Sequence, residues 1–163
     1  MRLALLLMMV ASTAVPAAED WGPAQFLVGQ WTGEGTGQPG NGSGAFSFAA
    51  DLADHVLVRK SFADYPAADG KPAFRHDDLM IVYRDELSHG LHAIYFDSEG
   101  HVIRYTVSPA GRGVVFLSDG AANQVRYRMT YTPAGQDSLK IKFEIAAPGR
   151  EFTSYIEAGA HRN

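Results

Sequence analysis

The densest group of polar side chains is the segment 75–78, Arg-His-Asp-Asp, directly before the apolar run 79–83. Side chains alternate along an extended strand, so His76 and Asp78 share one face and the other two polar residues share the opposite face. A histidine beside a carboxylate is the arrangement of a general base and the group that orients it. A polar rim at the end of a strand is the alternative, and because no nucleophile lies beside the pair we assign no catalytic residue.

The sequence does not show which face of this strand points inwards, because the run 79–83 is apolar on both faces. If Met80 and Val82 point inwards, His76 and Asp78 point inwards with them. If Leu79 and Ile81 point inwards instead, Arg75 and Asp77 form the interior pair. Both alternatives fit the pattern equally well.

A second candidate group consists of arginines and tyrosines on strands. Within the hairpin 92–105, Tyr95 shares a face with Asp97, and Arg104 lies on the opposite face from Tyr105. Arginine and tyrosine together can hold a carboxylate through charge-assisted hydrogen bonds, whereas an arginine on an outer face would pair with acids there. The predicted ligand-binding residues are Arg59, His76, Asp78, Tyr83, His92, Tyr95, Arg104, Tyr105 and Tyr127.

The histidines give little support for a metal site. The sequence has six histidines and no cysteine. No pair has helical metal-ligand spacing, and His89 and His92 lie on either side of a predicted turn. We therefore predict no metal and no cofactor.

Residues 1–18 have the pattern of a signal peptide: Arg2, an apolar run from Leu3 to Ala11, and small residues before a cleavage point near Ala17 or Ala18. The rest of the 163-residue chain, 19–163, is then one domain in a periplasmic or secreted protein. Without cysteine, neither disulfides nor a lipid-modified N-terminal cysteine are expected, so we predict no membrane anchor.

The charge pattern excludes some partners. The formal net charge is -4, and it becomes -5 once the single charged residue of the predicted signal peptide, Arg2, is removed. The sequence contains no basic stripe and no polybasic face, so we predict neither a nucleic-acid partner nor binding to an anionic membrane surface. The oligomeric state is left open.

Short strands separated by turn residues follow residue 45, and period-two alternation is clearest at 125–131 and 139–145. Alternation of this kind indicates an antiparallel sheet with one buried face, and no amphipathic helix separates the strands. About nine or ten strands joined by hairpins predict an up-and-down barrel or a sandwich. We expect a helical turn over Glu19–Val28, with Asp20 as its cap and Pro23 in its first turn, and a long loop over Thr36–Gly44.

The segment 26–37, FLVGQWTGEGTG, resembles the opening strand of lipocalin-like and fatty-acid-binding-protein-like barrels. It is similar in particular to uncharacterised exported bacterial barrel proteins, as are the segments HDDLMIVYRD and HAIYFDSEGHVIRY, and more distantly to nitrobindin-type haem barrels. The resemblance implies an all-β calycin barrel in which Trp31 closes one end against a basic side chain, Arg162 or else Arg150. A haem site would need a late histidine, and His161 does not match that setting.

The combined pattern favours a barrel that binds a small, mostly apolar or amphipathic molecule in its interior. Two alternatives remain open in the sequence. One is an enzyme that uses His76 and Asp78 on a bound substrate, and the other is a structural barrel with a filled interior.

Overall fold

The computed structural model describes residues 20–37, 40–68 and 70–163. The predicted signal peptide, residues 1–18, lies outside the described residues. Among the residues that are described, no helix is long and apolar enough to cross a membrane.

The chain forms a short 3-10 helix, Gly22–Leu27, followed by ten antiparallel strands that close into a barrel. Each strand pairs with its neighbours in the sequence, and the first pairs with the last. The predicted all-β up-and-down barrel is therefore confirmed. The strands are β1 (Gly29–Gly37), β2 (Gly42–Asp51), β3 (Val56–Tyr65), β4 (Phe74–Arg84), β5 (Leu91–Asp97), β6 (Val102–Ala110), β7 (Gly113–Ser118), β8 (Arg126–Pro133), β9 (Ser138–Ala146) and β10 (Thr153–Arg162).

The predicted helical turn is confirmed in place and shifted at its cap. Pro23 lies in the first turn of the 3-10 helix, as expected, but the cap position is Trp21, which makes no capping hydrogen bond through its side chain. The Asp20 carboxylate instead accepts a hydrogen bond of 2.8 Å from the backbone N–H of Gly22. Asp20 thus supports the entry to the turn from one position earlier.

The closed end of the barrel is organised around Trp31, which is 1% exposed. The Arg162 guanidinium lies 4.2 Å from the centre of the indole ring and donates hydrogen bonds to the carbonyls of Val28 (2.6 Å) and Phe26 (3.1 Å). The indole N–H donates to the carbonyl of Leu27 at 2.9 Å. The predicted contact between Trp31 and Arg162 is confirmed, and it ties the 3-10 helix to the barrel wall.

Above this end, the lower half of the barrel is filled with large side chains. Phe46, Phe48, Phe116 and Tyr131 meet mostly edge to face, with ring centres 5.8–6.1 Å apart. Such aromatic arrangements add to the free energy gained from burying their apolar surface. The core therefore occupies the end near the 3-10 helix and leaves the opposite half of the barrel for other uses.

The long loop expected over Thr36–Gly44 is shorter in the structure. β1 continues through Gly37 and β2 begins at Gly42, so residues 38–41 connect them. The glycines of this segment pair with the neighbouring strands, and because they have no side chain the backbones can approach closely. A Cβ atom on Gly44 would lie 2.1 Å from the carbonyl oxygen of Phe62.

Candidate functional site

A cavity of about 550 Å³ occupies the half of the barrel opposite the 3-10 helix. Its volume lies within the range of roughly 300–1,000 Å³ that is typical of small-molecule sites. One wall is apolar and formed by Ile103, Met129, Ile141, Phe143, Ile145, Ile156 and Ala158. The predicted alternative of a filled interior therefore applies to the lower half of the barrel only.

The orientation of β4 decides which polar pair reaches this cavity. Met80 and Val82 are fully buried, so His76 and Asp78 face inwards with them and line the cavity. Arg75 lies outside, with its Nε 3.3 Å from a carboxylate oxygen of Asp64. The sequence had left both orientations open, and the burial of alternate residues in the closed half resolves them.

A buried ion pair forms the floor of the cavity. The Nη1 atom of Arg59 donates to Oδ1 of Asp78, and its Nη2 atom donates to the hydroxyl of Ser61 at 3.0 Å. The two charged side chains are 8% and 7% exposed. Burial by itself would lower the pKa of Arg59, but the Asp78 carboxylate together with the neighbouring phenols of Tyr131, Tyr95 and Tyr105 outweighs it, and the pKa is raised. Arg59 therefore stays charged and paired.

Asp78 does not orient His76 as a catalytic pair would require. Its Oδ2 atom lies 4.0 Å from Nε2 of His76, beyond hydrogen-bonding distance. His76 is held instead by the Tyr95 hydroxyl, 3.0 Å from Nε2, and by Glu99, whose Oε1 is 3.2 Å from Nδ1. The histidine thus joins β4 to the turn between β5 and β6 at the mouth of the cavity.

Five tyrosines belong to the described lining: Tyr65, Tyr95, Tyr105, Tyr127 and Tyr155. Burial is the main reason why the pKa values of Tyr95 and Tyr105 are raised well above the ordinary value of a phenol. The Asp78 carboxylate adds to the effect on Tyr95, and Tyr131 adds to the effect on Tyr105. Tyr105 is 2% exposed, and its hydroxyl makes no hydrogen bond with any residue that the structure describes. Tyr127 stacks on Phe143 with the ring planes 3° apart.

These raised pKa values predict a stability loss at high pH. The folded state holds protons on Tyr95 and Tyr105 that the unfolded chain releases above about pH 10. Their contribution to the free energy of unfolding is therefore complete below that pH and is lost as the pH rises further. Ultraviolet absorbance should show incomplete phenolate formation in the folded protein at pH ~11 and a further rise on unfolding. Simultaneous ionisation of all tyrosines near pH ~10 in the folded state would contradict this.

The rim of the cavity contains a second carboxylate–histidine pair. Asp97 accepts hydrogen bonds from the backbone N–H groups of Glu99 (3.0 Å) and His101 (2.9 Å), and its Oδ2 lies 2.8 Å from the His101 imidazole. Burial would raise the pKa of Asp97, but these hydrogen bonds outweigh it and the pKa is lowered. The carboxylate therefore stays charged and shapes the turn at the mouth.

The structure divides the nine predicted ligand-binding residues between two faces of the barrel. The cavity lining contains Arg59, His76, Asp78, Tyr95, Tyr105 and Tyr127. The remaining three, Tyr83, His92 and Arg104, belong to the outer face, because their neighbours along the strands point inwards. Tyr83 and His92 contact each other there, with ring centres 6.1 Å apart.

Several lining residues were absent from the predicted set. They include Ser61, Asp97, Glu99, His101 and Glu34 at the polar positions, and the apolar wall on β8 and β9. Alternation along β9 signals its inward face, and the shared face of Tyr95 and Asp97 signals the carboxylate. The residues in the turns at the rim follow no alternating pattern, so the sequence offers no comparable signal for them. Among the described residues, no group of three metal-ligating side chains comes together.

Comparisons with known proteins agree on the fold. No protein-family model matches this sequence, and no curated protein matches it significantly. Among solved structures, Rv2717c from M. tuberculosis is similar, with a TM-score of 0.58, 17% identity and coverage of 88% of this chain and 99% of that one. The S-type phycobiliprotein lyase CPES from Guillardia theta is also similar, with a TM-score of 0.51, 9% identity and coverage of 85% of this chain and 89% of that one. At these identities the likeness shows the fold alone, which fits a lipocalin-like barrel.

Proposed function

We propose that this barrel binds a small, mostly apolar molecule with one polar end in its interior cavity. The observation that carries the proposal is the division of the barrel into a filled lower half and a cavity of about 550 Å³ above it. A barrel with a purely structural role has no need of an unfilled half, since side chains alone can fill a small barrel.

The chemistry of the lining supports this ligand class. The wall on β8 and β9, including Met129, Ile141 and Ile145, offers apolar surface, and burial of apolar ligand surface against it is favourable. The floor offers the hydroxyl of Tyr105 and the carboxylate of Asp78 to a polar end. A few fixed polar groups in an otherwise apolar pocket are typical of small-molecule sites, where they set orientation.

The predicted signal peptide, residues 1–18, makes export part of the same proposal. An exported binder would meet its ligand in the periplasm or outside the cell. The enzyme alternative receives no specific support, because His76 and Asp78 are held by separate partners.

The test is a fluorescence titration with N-phenyl-1-naphthylamine, a neutral apolar probe that brightens when it leaves water. We expect the protein to bind the probe and Ile141→Trp, which places an indole in the cavity, to weaken binding at least about tenfold, or ~1.4 kcal/mol. Lys140→Trp is the matched control, since residue 140 is exposed on the outer face of the same strand.

Circular dichroism of each variant should show the same barrel. Equal probe affinity in the two tryptophan variants, or no binding by the unaltered protein, would overturn the proposal.

A further inference from the structure

The geometry points to a ligand whose polar end is a protonated amine, bound by Asp78 and Tyr105 at the floor of the cavity. This inference rests on the proposed function and specifies the chemistry of the same site. It departs from the carboxylate ligand that an arginine and tyrosines in a barrel first suggest.

The hydrogen bonds of Asp78 are the first support. This carboxylate is 7% exposed and lines the cavity, and only its Oδ1 atom receives a hydrogen bond, from Arg59, among the residues that the structure describes. The Oδ2 atom has the His76 imidazole at 4.0 Å and no donor within hydrogen-bonding distance. A buried carboxylate oxygen ordinarily has a donor, and a charged one most of all. A ligand that donates to Oδ2 would supply it.

Tyr105 supplies the second group. Its side chain is almost fully buried, its hydroxyl has no hydrogen-bond partner among the described residues, and it lines the same cavity. The Asp78 carboxylate is close enough to contribute to the raised pKa of this phenol, after burial and Tyr131. An ammonium group has three N–H donors, enough to serve both Oδ2 and the phenol oxygen. An alcohol has one donor, and a carboxylate has none.

The Arg59 guanidinium, which is the positive charge of the described lining, is already paired with Asp78. Arg59 donates to Asp78 and Ser61 through its two terminal nitrogens, and its Nε atom is buried without a hydrogen-bond partner among the described residues. A ligand carboxylate would therefore have to compete with Asp78 for the paired contacts that arginine ordinarily makes.

The net charge of the lining acts in the same direction. Among the described residues, the lining contains four acids, Glu34, Asp78, Asp97 and Glu99, and one arginine, which gives a formal charge of -3 with the histidines neutral. A cation entering this cavity is attracted, whereas an anion is repelled, and the low polarity of the walls strengthens both effects.

Isothermal titration calorimetry with octylamine, 1-octanol and octanoate at pH 7 tests the inference, because the three probes share one apolar chain. We expect octylamine, which is protonated at this pH, to bind about tenfold tighter than 1-octanol, and octanoate to bind weakest. Equal affinities for octylamine and 1-octanol, or tighter binding of octanoate, would overturn the amine and leave the proposed function standing. Failure of all three probes to bind would overturn the proposed function itself.

Variants locate the amine. Asp78→Asn should remove the preference for octylamine over 1-octanol, and Glu86→Gln should keep it, since this control deletes one negative charge from an exposed turn at the closed end. If Asp78→Asn does not fold, Tyr105→Phe serves instead, because its hydroxyl supports no other described residue. We expect it to weaken octylamine by about fivefold or more, and unchanged affinity would overturn the placement at the floor.

Discussion

Asp78→Ala is expected to destabilise the barrel by ~3–5 kcal/mol, because it leaves the Arg59 guanidinium buried without a countercharge. Arg59 is 7% exposed and sits 5.5 Å from the ring of Phe46, and no other described carboxylate forms an ion pair with it. Urea denaturation followed by circular dichroism measures this change in the free energy of unfolding.

The double variant Arg59→Met, Asp78→Ala separates the cost of an unpaired charge from the value of the pair itself. We expect it to recover most of the lost stability, since replacing a buried ion pair by apolar groups is often close to neutral. Asp64→Ala is a matched control at an exposed ion pair, with Arg75, and should change stability by less than about 1 kcal/mol. A double variant as unstable as Asp78→Ala would contradict the argument.

Trp31→Ala is expected to destabilise the barrel by a similar ~3–5 kcal/mol. The indole is 1% exposed, stacks on Phe46 with ring centres 6.2 Å apart, and donates to the carbonyl of Leu27. Its loss leaves a hole at the closed end and frees one face of the Arg162 guanidinium. Thermal or urea unfolding of the variant measures the effect.

Arg162→Leu tests how much of that loss passes through the arginine. We expect a smaller destabilisation, about 2 kcal/mol, from the loss of the contact with the indole and of hydrogen bonds to two carbonyls. Tyr155→Ala, which removes a half-exposed ring at the cavity end, is the control and should be milder than either. A Trp31→Ala variant no less stable than Tyr155→Ala would show that the closed end does not depend on the indole.

The fold was predictable because its signals are local. Alternation along β8 and β9 and turn residues between strands depend on neighbours a few positions apart. The contact between Trp31 and Arg162 was predictable for a different reason, the resemblance of the opening segment to known barrels. In both cases the relevant pattern is visible without knowledge of how strands pair.

The polar floor was less predictable, because it depends on register between strands. Arg59 pairs directly with Met80, so Asp78 is its diagonal neighbour on β4. Register here follows the turn between β3 and β4, and no sequence pattern sets it within one residue. The inward choice on β4 was likewise hidden, since its apolar run continues on both faces. Arg104 was placed with the interior candidates by residue type, although its neighbours Ile103 and Tyr105 occupy the inward positions.

The pairing of the first strand with the last has a consequence for how fast the chain folds. The hydrogen bond between Thr32 and Asn163 joins residues 131 positions apart, and the whole β1–β10 ladder has separations of this order. Closing so long a loop costs entropy before any contact repays it, and chains rich in such distant contacts fold in roughly milliseconds to seconds. Hairpins between successive strands can form early, so sealing the barrel at Trp31 and Arg162 is expected to be a late kinetic step.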